Sequence, residues 1–168
     1  RMKAAGWQTY GVDVSETAIS YAEKQGINTV LGTLDNVKYE DNYFDAVTLF
    51  YVLEHLPDPF NGIKEVRRIL KPNGLLLLRL PHTTPIVRIL NILGIKNNLY
   101  DPPFHLNDFS PWTVKTLLEK GGFSNIRTYI GGVTRPPSGL VRGVTVMFGA
   151  LAEIVYTLSF GRFLLPGV

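Results

Sequence analysis

The chain has 168 residues, of which 45% are hydrophobic and 18% charged, a balance that supports one folded domain and excludes a disordered chain. It contains no cysteine, which rules out disulfides and thiolate metal sites. The net charge of +3 is scattered, and its densest basic group (Lys64, Arg67, Arg68, Lys71) falls on or just after one predicted helix, so a solvated helix face is expected and no nucleic-acid partner.

Met2 to Gly6 reads as the last turn of a helix with Gly6 as its stop, and Arg1 to Gly11 lacks the apolar core of a secretory signal. A cytoplasmic location is the expectation. Trp7 to Val14 is a short strand that puts Asp13 at its carboxyl end. Ser15 caps the next helix, Glu16 suits its positive end, Ala18, Ile19 and Ala22 form its inward stripe, and Gly26 ends it. Ile27 to Leu31 is the next strand, followed by a polar loop to Tyr43. Ala46 to Phe50 is a buried strand that leads into a loop carrying Glu54 and His55. The helix after Asp58 begins with Pro59 and buries Phe60, Ile63, Val66 and Leu70. Pro72-Asn73-Gly74 is turn chemistry, and Leu75 to Leu78 is the continuous apolar run of a strand covered on both faces. Residues Pro81 to Asp108 form an excursion before Ser110-Pro111 opens another capped helix, with Val114, Leu117 and Leu118 as its core face and Gly121-Gly122 as its end. Phe123 to Ile130 reads as a further strand.

Strands alternating with helices give an α/β fold with a doubly wound, mainly parallel sheet. Residues 1–131 form its core, with the segment 81–108 as a lid-like insertion. Residues 132–168 are an apolar extension of the same domain. Within it, Gly143 to Phe160 is interrupted only by Glu153 and reads as a terminal helix packed on the sheet, with peripheral membrane contact as the alternative.

Sheets of this kind bind ligands beyond the carboxyl ends of their strands. Asp13 at such an end either accepts the hydroxyls of a nucleotide ribose or caps the following helix beside Ser15. Glu54 and His55 either bind a metal or move a proton, or they fix the loop by hydrogen bonds; adjacent side chains seldom aim at one point, which favours the structural role for Glu54. His105, stiffened by Pro102 and Pro103, is a candidate base or substrate contact, and the alternative is a loop histidine bonded to backbone. His82 lies near the ligand edge without further support. The Ile/Leu-rich part of the excursion, PIVRILNILGI, favours an apolar substrate if it covers the site.

Three segments in order, GVDVS (11–15), FDAVTLFYVLEHLPDP (44–59) and EVRRILKPNGLLLLRLP (65–81), resemble the class I S-adenosylmethionine-dependent methyltransferases. PPFHLNDFSPWTVKTLLEKGGF (102–123) resembles a small-molecule branch of them. The resemblance runs from Met2 to about Gly131. It implies a Rossmann-like methyltransferase fold, S-adenosylmethionine as cofactor, and methyl transfer to a small acceptor, apolar or lipid- or glycan-linked, through an oxygen nucleophile. Carried over by position, Asp13 matches the residue on the ribose hydroxyls and Val14 the neighbour of the adenine. Thr33 and Leu34 match the pair at the adenine edge, with Thr33 lacking the usual carboxylate. Phe50 and Tyr51 match positions lining the methionine part, and His55 or His105 is the expected base. No metal is expected. The histidines show no convergent spacing, and Tyr51 stands where the Glu-x-x-Glu-His of some metal-binding relatives has its first carboxylate. The family's first strand and its Gly-x-Gly-x-Gly loop would precede Met2, so an N-terminally truncated fragment, inactive alone, is expected. The rival from another class is a binding module that keeps the fold without catalysis.

Overall fold

A computed structural model of the chain describes residues 2–81, 91–94, 96, 105–129, 150–151, 154–155 and 157–158. His82, most of the insertion and most of the apolar extension lie outside the described residues. The elements are β1 (Tyr10–Asp13), α1 (Glu16–Lys24), β2 (Asn28–Leu31), β3 (Phe44–Phe50), α2 (Pro59–Ile69), β4 (Leu70–Arg79) and α3 (Pro111–Lys120), with short 3-10 turns at Lys3–Ala5 and Leu53–His55.

Helix starts follow from side chains that accept orphan amides. Ser15 Oγ accepts the Ala18 N–H at 3.3 Å, and Asp58 Oδ1 accepts the Asn61 N–H at 2.9 Å with Pro59 in the first helical turn. At α3 the capping is reciprocal: Ser110 Oγ accepts the Thr113 N–H at 3.2 Å and Thr113 Oγ1 accepts the Ser110 N–H at 2.8 Å. Gly26 follows α1 with φ of +72°, the left-handed geometry that glycine adopts without cost.

β1 and β2 pair in parallel from Tyr10↔Asn28 to Asp13↔Leu31, and β3 and β4 pair in parallel from Ala46↔Leu75 to Phe50↔Arg79. The Lys71–Gly74 stretch sits inside β4, where the register shifts between Phe44↔Leu70 and Ala46↔Leu75. The expected turn is therefore absorbed as an irregularity of the strand.

The alternation of strand and helix with parallel pairing is the expected α/β fold. Among the described residues the ladders are β1-β2 and β3-β4, and no ladder joins the two pairs. Aromatic side chains bridge them: the Tyr10 ring packs edge-on against Phe44 at 5.3 Å and Tyr43 at 5.7 Å. Residues 123–129 form no strand either. Phe123 and Ile126 bury themselves against the core without a ladder partner, and an extended run becomes a strand only where its backbone is paired.

The core lies between the β3-β4 pair and helices α2 and α3. Leu53, Ile63, Phe109 and Leu118 form one buried cluster, and Leu49, Val66 and Leu70 form a second. By contrast α1 buries no residue, and of its expected inward stripe Ala18 is exposed. An open cleft of about 320 Å³, lined by Ala5, Gly6, Trp7, Gln8 and Asp45, lies at the amino ends of β1 and β3, away from the ligand edge. Among the described residues no helix is long and apolar enough to cross a membrane.

Candidate active site

The parallel pairs bring their carboxyl ends to one kind of edge, and six of the expected site residues stand there. Asp13 ends β1, exposed, with Oδ1 accepting the Ser15 N–H at 2.8 Å. The capping role is thus real, yet a carboxylate has about four acceptor positions, so one bond leaves it able to hold ribose hydroxyls. Beside it Val14 is 70% exposed, an apolar side chain turned to solvent. Thr33 follows β2, and its carbonyl accepts the N–H groups of Asn36 and Val37, which folds the loop into a turn. Leu34 is different: it packs against the Leu49–Val66–Leu70 cluster, so its side chain serves the core.

Phe50 and Tyr51 leave β3 about half exposed. Tyr51 takes a φ of +57°, a conformation a bulky residue rarely adopts. Its N–H donates to the Arg79 carbonyl at 2.9 Å, and the Arg79 guanidinium lies 5.3 Å from its ring centre. This backbone reversal turns the chain from the strand into the Leu53–His55 turn.

That turn is held by the 105–110 segment. The N–H groups of Leu106 and Asn107 donate to the Glu54 carbonyl at 3.0 and 3.1 Å, and the Asn107 side-chain amide donates to the Leu56 carbonyl at 2.7 Å. Phe109 anchors the segment in the same buried cluster as Leu53. The result places the His105 ring 5.0 Å from the His55 ring, centre to centre, tilted by 51°. Glu54 is 1% exposed, and among the described residues neither carboxylate oxygen has a hydrogen-bond partner.

Among the described residues it is the main-chain carbonyl of Glu54 that bonds the loop, and one ligating atom from each of Glu54, His55 and His105 lies within 4.8 Å of the others. Asn107 and Arg79 were not legible as site-building residues; the only signal for Asn107 was its place in the His-Leu-Asn run before a capped helix. The basic group of α2 is largely engaged within the chain. Arg68 pairs with Asp41 and Glu65, Lys71 with Asp45 at 2.7 Å, and Lys64 sits 4.7 Å over the Phe60 ring.

Residues 1–78 match a methyltransferase domain family. The matched segment and the fold are those of S-adenosylmethionine-dependent methyltransferases. A demethylmenaquinone methyltransferase of Staphylococcus saprophyticus is 30% identical over 152 residues, covering 75% of this chain and 64% of that protein. A ubiquinone biosynthesis O-methyltransferase of Xanthomonas oryzae is 31% identical over 100 residues, covering 55% of this chain and 42% of that protein. Among solved structures, an S-adenosylmethionine-dependent methyltransferase of Thermotoga maritima, described as a possible histamine N-methyltransferase, superposes with a TM-score of 0.58 at 26% identity, over 70% of this chain and 55% of its own. The chain thus spans less than two thirds of the length of these relatives.

S-adenosylmethionine is the cofactor of this fold, and the edge residues suit it. Asp13 has acceptor capacity for a diol, and Val14, Phe50 and Tyr51 are exposed apolar side chains at the strand ends.

Proposed function

We propose that this core transfers the methyl group of S-adenosylmethionine to a hydroxyl of an apolar, phenol- or quinol-type acceptor, with His55 and His105 on the acceptor side. The observation that carries the reading is the meeting of the two imidazoles at 5.0 Å, one of them in the turn that directly follows β3 in the chain. The cofactor supplies a methyl group already activated on a sulfonium. Asp13 holds the ribose hydroxyls, Val14, Thr33 and the backbone at Leu34 flank the adenine, and Phe50 and Tyr51 line the methionine part.

The remaining work is alignment and proton removal. Imidazole is the usual side chain for taking a hydroxyl proton near neutral pH, and either ring nitrogen can do so within about 2.6–3.2 Å of the acceptor oxygen. The half-exposed rim of Phe50, Tyr51 and Val52 suits a flat apolar ring. The names of the quinone-pathway relatives support that acceptor class.

The test uses the full-length polypeptide with labelled cofactor and a panel of phenols, demethylated quinols and amines. His55→Ala and His105→Ala should each lower kcat by roughly 10²-fold while binding of S-adenosylhomocysteine is kept. Asp13→Ala should weaken that binding about tenfold, as expected for loss of a charge-assisted contact. Unchanged turnover in both histidine variants, or transfer to amines alone, would overturn the reading.

A further inference from the structure

We propose that the insertion and the apolar extension dock this protein onto the surface of an anionic lipid bilayer. Docking does not depend on the methyl-transfer reading. Only its purpose rests on that reading: an apolar phenol or quinol partitions into a bilayer and has to be met there.

The first observation is an exposed apolar stripe. The described residues among 150–158 are helical, and Leu151, Ile154 and Leu158 are 48%, 54% and 74% exposed. Their spacing of three and four residues puts them on one side of a helix. A helix of a folded core turns such a stripe inward, as α2 does with Ile63, Val66 and Ile69. Here the stripe faces outward.

The second observation comes from another part of the chain. Ile92 and Leu93, in the insertion, are 84% and 64% exposed, and no other large hydrophobic side chain among the described residues is as exposed as Ile92. Both segments lie outside residues 1–78, so neither is a feature of the part that matches the methyltransferase family.

The third observation is charge. From Gly143 to Phe160 the sequence holds one charged residue, Glu153, and Arg142 and Arg162 bound the run. The insertion repeats the pattern: Arg88 and Lys96 flank Ile92 and Leu93 in sequence, and no acidic residue occurs from His82 to Tyr100. Aliphatic side chains bordered by cationic ones match a surface that is apolar beneath and negative at headgroup level. A groove on a partner protein would call for the apolar stripe but not for the repeated cationic border, so the bilayer is the occupant. The run is shorter than the about 20 apolar residues that a span takes, and crossing would place Glu153 in hydrocarbon. The contact is therefore with one leaflet.

Flotation of the full-length protein with vesicles tests this without any turnover. The protein should rise with mixed phosphatidylcholine and phosphatidylglycerol vesicles, far less with phosphatidylcholine alone, and be released as salt is raised. The triple variant Leu151→Gln/Ile154→Gln/Leu158→Gln should partition roughly 10²-fold less, and Ile92→Gln/Leu93→Gln roughly tenfold less, from lost burial of aliphatic side chains in the leaflet. All five positions are exposed, so both variants should keep the wild-type Tm and the wild-type turnover of a short-chain, water-soluble phenol. Turnover of a long-chain acceptor carried in the vesicles should fall with partition. A wild-type protein that stays in the aqueous layer at every composition, or a triple variant that floats like the wild type, would overturn the proposal. So would a defined dimer that the triple variant dissolves, because a second copy would then cover the stripe. Flotation without methyl transfer to any phenol would uphold the docking and overturn the activity alone. Transfer to the soluble phenol by a protein that never floats would do the reverse.

Discussion

Tyr51 carries a backbone conformation that most side chains avoid, and it does so where β3 opens onto the ligand edge. A single non-glycine residue in the left-handed region costs about 1–2 kcal/mol, because Cβ crowds the following carbonyl. The N–H bond to the Arg79 carbonyl and the guanidinium over the ring hold it there. Replacing the ring while varying only Cβ isolates the strain: Tyr51→Gly should be more stable than Tyr51→Ala by about 1 kcal/mol, the reverse of their order in a helix. Urea denaturation of the two variants measures it, and equal midpoints would show that the turn relaxes when the ring is lost. The sequence marks Tyr51 only as a departure at a familiar position. Positive φ is invisible for a tyrosine, since nothing in its chemistry announces the left-handed region as glycine or asparagine does. Asn73, at φ of +65° in a Pro-Asn-Gly run, was legible for that reason.

At the scale of elements, α3 reaches α2 through a glycine. A Cβ on Gly121 would lie 2.4 Å from Ile63 Cγ2, and Ile63 is wholly buried. Its φ of −77° is ordinary, so close approach and not backbone freedom demands glycine. Gly121→Ala should cost about 1–3 kcal/mol by overpacking, read as a lowered Tm. The neighbouring Gly122→Ala should cost nearer 1 kcal/mol, through its φ of +84°, since among the described residues its Cβ would meet only Arg67 Cγ at 4.0 Å. A larger loss at Gly122 than at Gly121 would contradict this account. Helix ends and most strands were legible because each has a local signal: Ser15, Asp58-Pro59 and Ser110 name their helix starts. The meeting of His55 with His105 was not. It depends on two main-chain bonds to the Glu54 carbonyl and on burial of Phe109, and backbone bonds between distant segments leave no residue pattern. The strand expected from Phe123 fails for a related reason: apolar alternation reports burial, which Phe123 and Ile126 achieve, but not the presence of a neighbour to pair with.

Across the molecule, the two strand pairs differ in what stabilises them and are joined by rings. Nearly all fully buried side chains belong to the half built from β3, α2, β4 and α3, while α1 buries none. Tyr10 links the halves, packing on Tyr39, Tyr43 and Phe44 and sharing a 2.8 Å hydrogen bond between its hydroxyl and that of Tyr43. That bond, with some burial, raises the Tyr43 phenol above its ordinary value. A folded-state pKa above the unfolded one contributes stability that is complete below about pH 10 and lost as pH rises through the folded value. Stability should therefore fall above about pH 10, and Tyr10→Phe should flatten that fall; an unchanged alkaline slope in urea midpoints would exclude the link. The same asymmetry governs local opening. Segments with few buried contacts exchange amide hydrogens through low-energy openings, whereas core strands and helices exchange only near global unfolding. Hydrogen exchange should accordingly show weak protection across residues 10–31 and strong protection across 59–79. Tyr10→Ala removes the ring contacts but touches neither α2 nor β4, so it should lower protection in the first region and leave the second unaltered. Uniform loss in both would mean that the halves unfold as one cooperative unit and that the ring cluster couples them as firmly as a shared ladder would.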